Sequence, residues 1–180
     1  MILDSLRKTY HYGRYRKVKK LIENNGKLLD IGCGKPCEFM EDGSFLNYIK
    51  FGIGMDIKNC SIKQTFIKGN VVDIPFSKKT FDIVVAMEVI EHLEDIEIAL
   101  KNINYALKDD GVIILTTPSN NLIWKIFWSF WPETIGKMWK EKHKNEFTEI
   151  QWRNLLNKYF SIKEVKQHWF INLIFKMKKR

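Results

Sequence analysis

Nine consecutive residues, Leu28-Leu29-Asp30-Ile31-Gly32-Cys33-Gly34-Lys35-Pro36, restrict the architecture more than any other stretch of the chain. The apolar run 27–31 suits a fully buried strand, and it stops at two glycines separated by one residue. Glycine accepts φ > 0 and has no Cβ, so a turn here doubles back sharply and lets a ligand approach the backbone. Residues 38–50 then supply a helix whose first N–H groups face the same space. Strand, glycine turn and helix in that order form a cofactor cradle in the first βαβ unit of an α/β sheet. A second apolar run, 51–55, ends in Asp56. A carboxylate at that strand end, beside the glycine turn, is placed to accept both hydroxyls of a ribose, which predicts a nucleoside cofactor.

Two common fingerprints do not fit. The dinucleotide pattern needs a third glycine where Cys37 stands, and the phosphate loop needs a Gly-Lys-Ser or Gly-Lys-Thr that does not follow. The remaining chain alternates strands with helices. Residues 3–24 predict one amphipathic helix or two short ones, with Val18, Leu21 and Ile22 inward, a basic face at 14–17, and a stop at Asn24-Asn25-Gly26. Residues 65–68 predict a third strand and 81–86 a fourth. Apolar positions 96, 99, 100, 103, 106 and 107 give 96–108 a helical period, and 112–116 makes a fifth strand after the break Asp109-Asp110-Gly111. A helix over 148–159 opens with a Thr148-x-x-Gln151 capping box. The runs 162–166 and 170–175 suit an antiparallel hairpin at the sheet edge. Continuous apolar strands between helices predict a parallel sheet covered on both faces.

The 180 residues, 45% of them hydrophobic, fit one domain with a sizeable core. That domain is expected to span 1–180, with an N-terminal helical segment at 1–26 and a lid or substrate insertion at 118–147. No apolar run reaches the ~18–20 residues a membrane span needs, and no leader-like apolar region opens the chain, so a soluble, cytoplasmic protein is expected. Cys33, Cys37 and Cys60 make no disulfide framework, and Cys33-x-x-x-Cys37 has no third nearby metal ligand. The net charge of +9 is uneven: residues 1–20 hold seven Lys/Arg against one Asp, 137–144 four against one Glu, and 176–180 four against none. Such ends attract nucleic acid, anionic lipid or acidic substrates, or are simply a solvated lysine surface.

The stretch Asp30-Ile31-Gly32-Cys33-Gly34 resembles motif I of the class I S-adenosylmethionine-dependent methyltransferases, many of which carry a glycine in place of Pro36. Gly69-Asn70-Val71-Val72-Asp73-Ile74-Pro75-Phe76 is similar to that family's adenine loop, with Asn70 where an Asp is usual. The resemblance extends through 81–93 and 106–118, from about residue 10 to 175. It implies a Rossmann-like class I methyltransferase fold: a mostly parallel seven-stranded sheet, an antiparallel C-terminal edge hairpin and helices on both faces. It also implies S-adenosylmethionine held by Asp30, Gly32, Cys33, Gly34, Asp56, Ile57, Asn70 and Val71, with Met87 and Glu88 at its methionine end. An amide oxygen of Asn70 accepts from the adenine amino group as a carboxylate would, the Val71 N–H donates to a ring nitrogen, and Asp73 is the rival acceptor.

A sulfonium methyl is already activated, so transfer mainly requires alignment, with a base where the acceptor must lose a proton. The fourth strand lacks the Asn/Asp-Pro-Pro-aromatic clamp of DNA amino-methyltransferases, and no cysteine follows residue 60 to serve the covalent cytosine route. Glu88-x-x-Glu91-His92, read as a helix start, puts three side chains on one face. The same string occurs in ubiquinone-pathway O-methyltransferases and small-RNA 2′-O-methyltransferases, where it resembles a divalent-metal site completed by a distant histidine, here His143. The alternative is a metal-free site in which Glu91, His92 and His143 do the catalytic work. Trp124, Phe127, Trp128 and Trp131 form an aromatic stripe at helical spacing. That stripe suits a packed lid or dimer seam, a pocket for a lipophilic or aromatic acceptor, or a peripheral membrane contact. An RNA acceptor bound by the basic ends, and a non-catalytic cofactor-binding subunit, stand as alternatives to a small-molecule acceptor.

Overall fold

The computed structural model of the chain describes residues 2–23, 26–34, 52–59, 65–73, 76–122 and 144–180. Within them the apolar runs become β1 (Leu28–Ile31), β2 (Ile53–Asp56), β3 (Thr65–Lys68), β4 (Phe81–Met87), β5 (Leu107–Pro118), β6 (Phe160–His168) and β7 (Asn172–Lys179). The helices are α1 (Ile2–Leu21), α2 (Ile96–Ala106) and α3 (Glu149–Leu156). The strands form one seven-stranded sheet in the order β3-β2-β1-β4-β5-β7-β6. Its first five strands run parallel, and β7 enters antiparallel between β5 and β6. This is the expected class I arrangement, with the C-terminal hairpin at the edge.

Alternate side chains of the central strands feed two separate cores. On one face, Leu29, Ile31, Val84, Ala86, Ile113 and Leu115 pack with Ile96, Ala99, Leu100 and Ile103 of α2 and Trp152 of α3. On the other, Leu28, Ile83, Val85 and Ile114 meet Val18 and Leu21 of α1. All four residues of β1 are buried, as a parallel strand between two helical layers requires.

The segment expected as one helix or two is a single helix, Ile2–Leu21. The basic face assigned to 14–17 is only partly correct: Arg14 is 6% exposed and turns into the protein. The boundary at 106–112 also differs from expectation. The helix ends at Ala106, and β5 already begins at Leu107, which pairs with Phe81. A register shift between Phe81 and Ile83 absorbs the extra residues before Val112 pairs with Ile83. Leu107 fits a helical period but is fully buried as a strand residue, so tertiary pairing overrides the local pattern. The hairpin strands run longer than predicted, with Trp169 and Phe170 at positive φ in the turn. Expectations for the helix 38–50, for Lys35, Pro36, Cys37, Cys60 and Pro75, for the aromatic stripe 124–131, for Trp139 and for His143 lie outside the described residues.

Candidate active site at the carboxyl ends of the strands

The turn after β1 is built as its glycines require. Gly32 has φ +69° and Gly34 φ +68°, both in the left-handed region. The N–H groups of Gly32 and Cys33 both donate to the Met55 carbonyl, at 2.7 and 3.2 Å, which folds the turn back over β2. A Cβ on Gly32 would lie 2.3 Å from Val89 Cγ2, whereas one on Gly34 would meet, among the described residues, only the Gly32 carbonyl, at 3.8 Å. Cys33 is buried and packs toward the α1 face.

Asp56, at the end of β2, is fixed beside that turn. Gly34 N–H donates to Asp56 Oδ2 at 3.0 Å, and Lys58 N–H donates to Oδ1 at 2.9 Å. Each carboxylate oxygen keeps a further lone pair for an outside donor. Neighbouring Ile57 is 61% exposed. Asp30 sits one strand inward, and its Oδ2 has no hydrogen-bond partner among the described residues. Burial, with Asp56 adding repulsion, pushes the Asp30 carboxyl up to about 8, so it is held largely neutral at pH 7. In the loop after β3, Asn70 Oδ1 accepts from Val72 N–H at 3.2 Å, closing the 3-10 turn Val71–Asp73. Asn102 of α2 donates to the Val71 and Val72 carbonyls and anchors the loop from behind. Asp73 is exposed.

Beyond β4 the arrangement departs from the sequence-based picture. Glu88 does not begin a helix; it stands alone at φ +55° before a 3-10 turn, Ile90–His92. Its carboxylate turns toward β5, β7 and α1. Thr116 Oγ1 donates to Oε1 at 2.7 Å, Asn172 Nδ2 donates to both oxygens at 2.8 Å, and Arg14 Nη1 lies 3.4 Å from Oε1. Tyr10 Oη donates to Asn172 Oδ1, and the Tyr10 carbonyl accepts from His168 Nε2 at 2.8 Å. Desolvation depresses His168 to about 4, which keeps the ring neutral with its proton on that donating nitrogen. Tyr10, Arg14, Thr116, His168 and Asn172 were not among the predicted site residues. One signal was available for the first two: Tyr10, Arg14, Val18 and Leu21 recur at helical spacing, which places Arg14 on the apolar face of α1.

Glu91 is fully buried and neither carboxylate oxygen has a hydrogen-bond partner among the described residues. Burial first, and then the charge of Glu88, raise its pKa well above the usual range for Glu. His92 Nε2 stands 4.0 Å from Glu91 Oε1, and the imidazole is 35% exposed. The Glu91 carbonyl accepts from the N–H groups of Lys144 and Asn145, which ties the turn to the segment that leads into α3. The shared helical face expected for Glu88, Glu91 and His92 is thus replaced by three divergent environments. Among the described residues no three His, Cys, Asp or Glu side chains gather so as to hold a metal ion. Glu88 is engaged by Thr116, Asn172 and Arg14, and His143, the expected distant histidine, lies outside the described residues.

With this geometry in place, comparison with known proteins is informative. A family model described as a methyltransferase domain matches residues 7–168. The chain therefore belongs to the class I S-adenosylmethionine-dependent methyltransferase family. A ubiquinone biosynthesis O-methyltransferase of Pelagibacter ubique is 32% identical over 107 residues, covering 54% of this chain and 44% of the relative. The sterol 24-C-methyltransferase of Schizosaccharomyces pombe is 29% identical over 121 residues, covering 61% of this chain and 31% of that protein. The chain thus spans half or less of the length of these curated relatives. Among solved structures, a protein of Pyrococcus horikoshii superposes with a TM-score of 0.71 at 20% identity, covering 96% of this chain and 95% of that one. A Thermotoga maritima methyltransferase described as a possible histamine N-methyltransferase gives 0.71 at 17% identity, over 97% and 92% of the two chains. These structural matches share the fold.

Proposed function

We propose that the cradle binds S-adenosylmethionine and that the chain methylates a small acceptor of lipophilic or aromatic character. The observation that carries the proposal is the pairing of the left-handed turn Gly32–Gly34 with an Asp56 carboxylate already oriented by two backbone amides. A ribose fits there, its hydroxyls donating to the lone pairs that Gly34 and Lys58 leave free. Asn70 and Val71 are assigned to the adenine, and the turn Asp30–Gly34 to the backbone side of the cofactor, with Met87 at the methionine end. Bound, the cofactor supplies a methyl group on a positively charged sulfur, ready for in-line displacement. Two curated relatives are named for ubiquinone biosynthesis and sterol methylation, which favours a small acceptor.

The protein's own contribution is position and proton handling. His92, partly exposed, is the assigned base for the acceptor's proton. Glu91 beside it, its carboxyl held protonated by burial and by the Glu88 charge, positions the imidazole from 4.0 Å away. Glu88 acts as a positioning residue that locks the end of β4 to β5, β7 and α1. His143 keeps its assignment to the acceptor side.

The test is calorimetric titration with S-adenosylhomocysteine. Asp56→Ala removes charge-assisted hydrogen bonds and is expected to weaken binding by at least about tenfold. Wild-type affinity in that variant would remove Asp56 from the ribose and overturn the assignment of the cradle.

A further inference from the structure

A cavity of about 550 Å³ opens at the opposite end of the sheet, where β4 and β5 begin. Its walls come from distant parts of the chain: Lys78 and Lys79 of the turn before β4, Lys101 and Tyr105 of α2, Lys158 after α3, and Lys179 of β7. Six lining side chains are cationic and one, Asp109, is anionic. The 7 residues of β4 separate this cavity from Glu88 by about 20 Å at the usual rise of a strand. The cofactor cradle and this cavity are therefore independent spaces.

The cavity is more than a lysine-rich surface. The Lys179 side chain is 10% exposed, donates to the Leu107 carbonyl at 2.7 Å, and lies 3.9 Å from Asp109 Oδ1. Burial pushes its pKa down against the pull of Asp109, and the neighbouring Lys79 and Lys78 lower it further. Asp109 is already shared with Lys79, whose Nζ sits 2.5 Å from Oδ2. Lys78 and Lys101 form no ion pair with a described residue. The negative end of α2 does not supply the missing charge, because the Tyr105 and Ala106 carbonyls accept from the Lys79 and Thr80 N–H groups at 3.0 and 2.7 Å. Asn104 Nδ2 donates to the Tyr159 carbonyl at 2.6 Å and fixes one wall.

Dispersed ammonium groups around a concave floor suit a row of phosphates better than a single carboxylate. The volume matches sites that take small organic ligands. Tyr105, 52% exposed, presents a ring on which a base can stack. We propose that this cavity binds a nucleotide polyphosphate at the end of the sheet remote from the methyl-transfer site.

The test is calorimetric titration of the chain with ATP and with inorganic tripolyphosphate, with and without saturating S-adenosylhomocysteine. ATP is expected to bind equally in both conditions, and tripolyphosphate to bind more weakly. Lys78→Glu and Lys101→Glu, both on exposed side chains, are each expected to weaken ATP about tenfold and leave S-adenosylhomocysteine affinity unchanged. Tyr105→Ala is expected to weaken ATP and spare tripolyphosphate. ATP binding that vanishes with S-adenosylhomocysteine present would place it in the cofactor cradle and overturn the proposal. So would the absence of ATP binding, indifference to both charge reversals, or affinity for a single-stranded oligonucleotide alone.

Discussion

Gly32 carries two separate demands, and they can be measured apart. Its backbone is at φ +69°, and an added methyl would lie 2.3 Å from Val89 Cγ2. The left-handed conformation costs an alanine about 1–2 kcal/mol, and the overlap about 1–3 kcal/mol more. Gly32→Ala is therefore expected to lower stability by roughly 3 kcal/mol in urea denaturation. In a Val89→Ala background the same change should cost only the backbone part, and an undiminished cost would rule out the overlap. The turn at Gly32 and Gly34, and the place of Asp56 beside it at the end of β2, were legible because spacing dictates them. The helical spacing of Arg14 with Val18 and Leu21 signalled its burial, but nothing local pointed to its partner Glu88, so far along the chain. Glu88 was misplaced for a related reason: a left-handed, non-glycine residue leaves no mark in a sequence that reads as a helix start.

At the level of elements, α1 is attached by a polar cluster as well as by Val18 and Leu21. Arg14 and Glu88 are 7% and 18% exposed, so their contact is shielded from water. Arg14→Met leaves the Glu88 charge with only Thr116 and Asn172 as partners, and is expected to cost about 2–3 kcal/mol, somewhat below a fully buried pair. Hydrogen exchange should then show early loss of protection in residues 8–21. Unchanged protection would mean that apolar contacts alone hold the helix. Gly13 contributes to the same seam, since a Cβ there would come 2.9 Å from His168 Cε1. Element types were largely readable from periodicity, and the Thr148–Gln151 box formed as expected, with both reciprocal hydrogen bonds present. The junction between α2 and β5 was not readable, because Leu107 satisfies helical spacing and strand pairing equally until Phe81 is brought beside it.

On the scale of the whole molecule, two buried carboxyls tie stability to pH. Asp30 is pushed up to about 8 and Glu91 is raised well above its usual value, so both hold protons in the folded state that the unfolded chain releases. Between pH 6.5 and 8 the folded chain binds more protons than the unfolded one, and stability falls as pH rises. His168, lowered from 6.5 to about 4, acts with the opposite sign but only below that window. The melting temperature is expected to drop from pH 6.5 to 8 in the wild type. Asp30→Asn should flatten the drop and gain stability at pH 8. A flat wild-type profile would show that neither acid is neutral when folded. Glu91→Gln should flatten the remainder. The mostly parallel seven-stranded sheet, its C-terminal hairpin and the helices on both faces were predictable at this scale, whereas the gathering of scattered lysines into one cavity depends on topology that no local pattern reports.

The contacts of α1 impose an order on biosynthesis. Tyr10 and Arg14 leave the ribosome well before their partners Glu88, His168 and Asn172. At about 5–20 residues per second, α1 waits several seconds for those partners. Throughout that interval its polar seam is incomplete, so the helix takes its final seat only once β7 has been made.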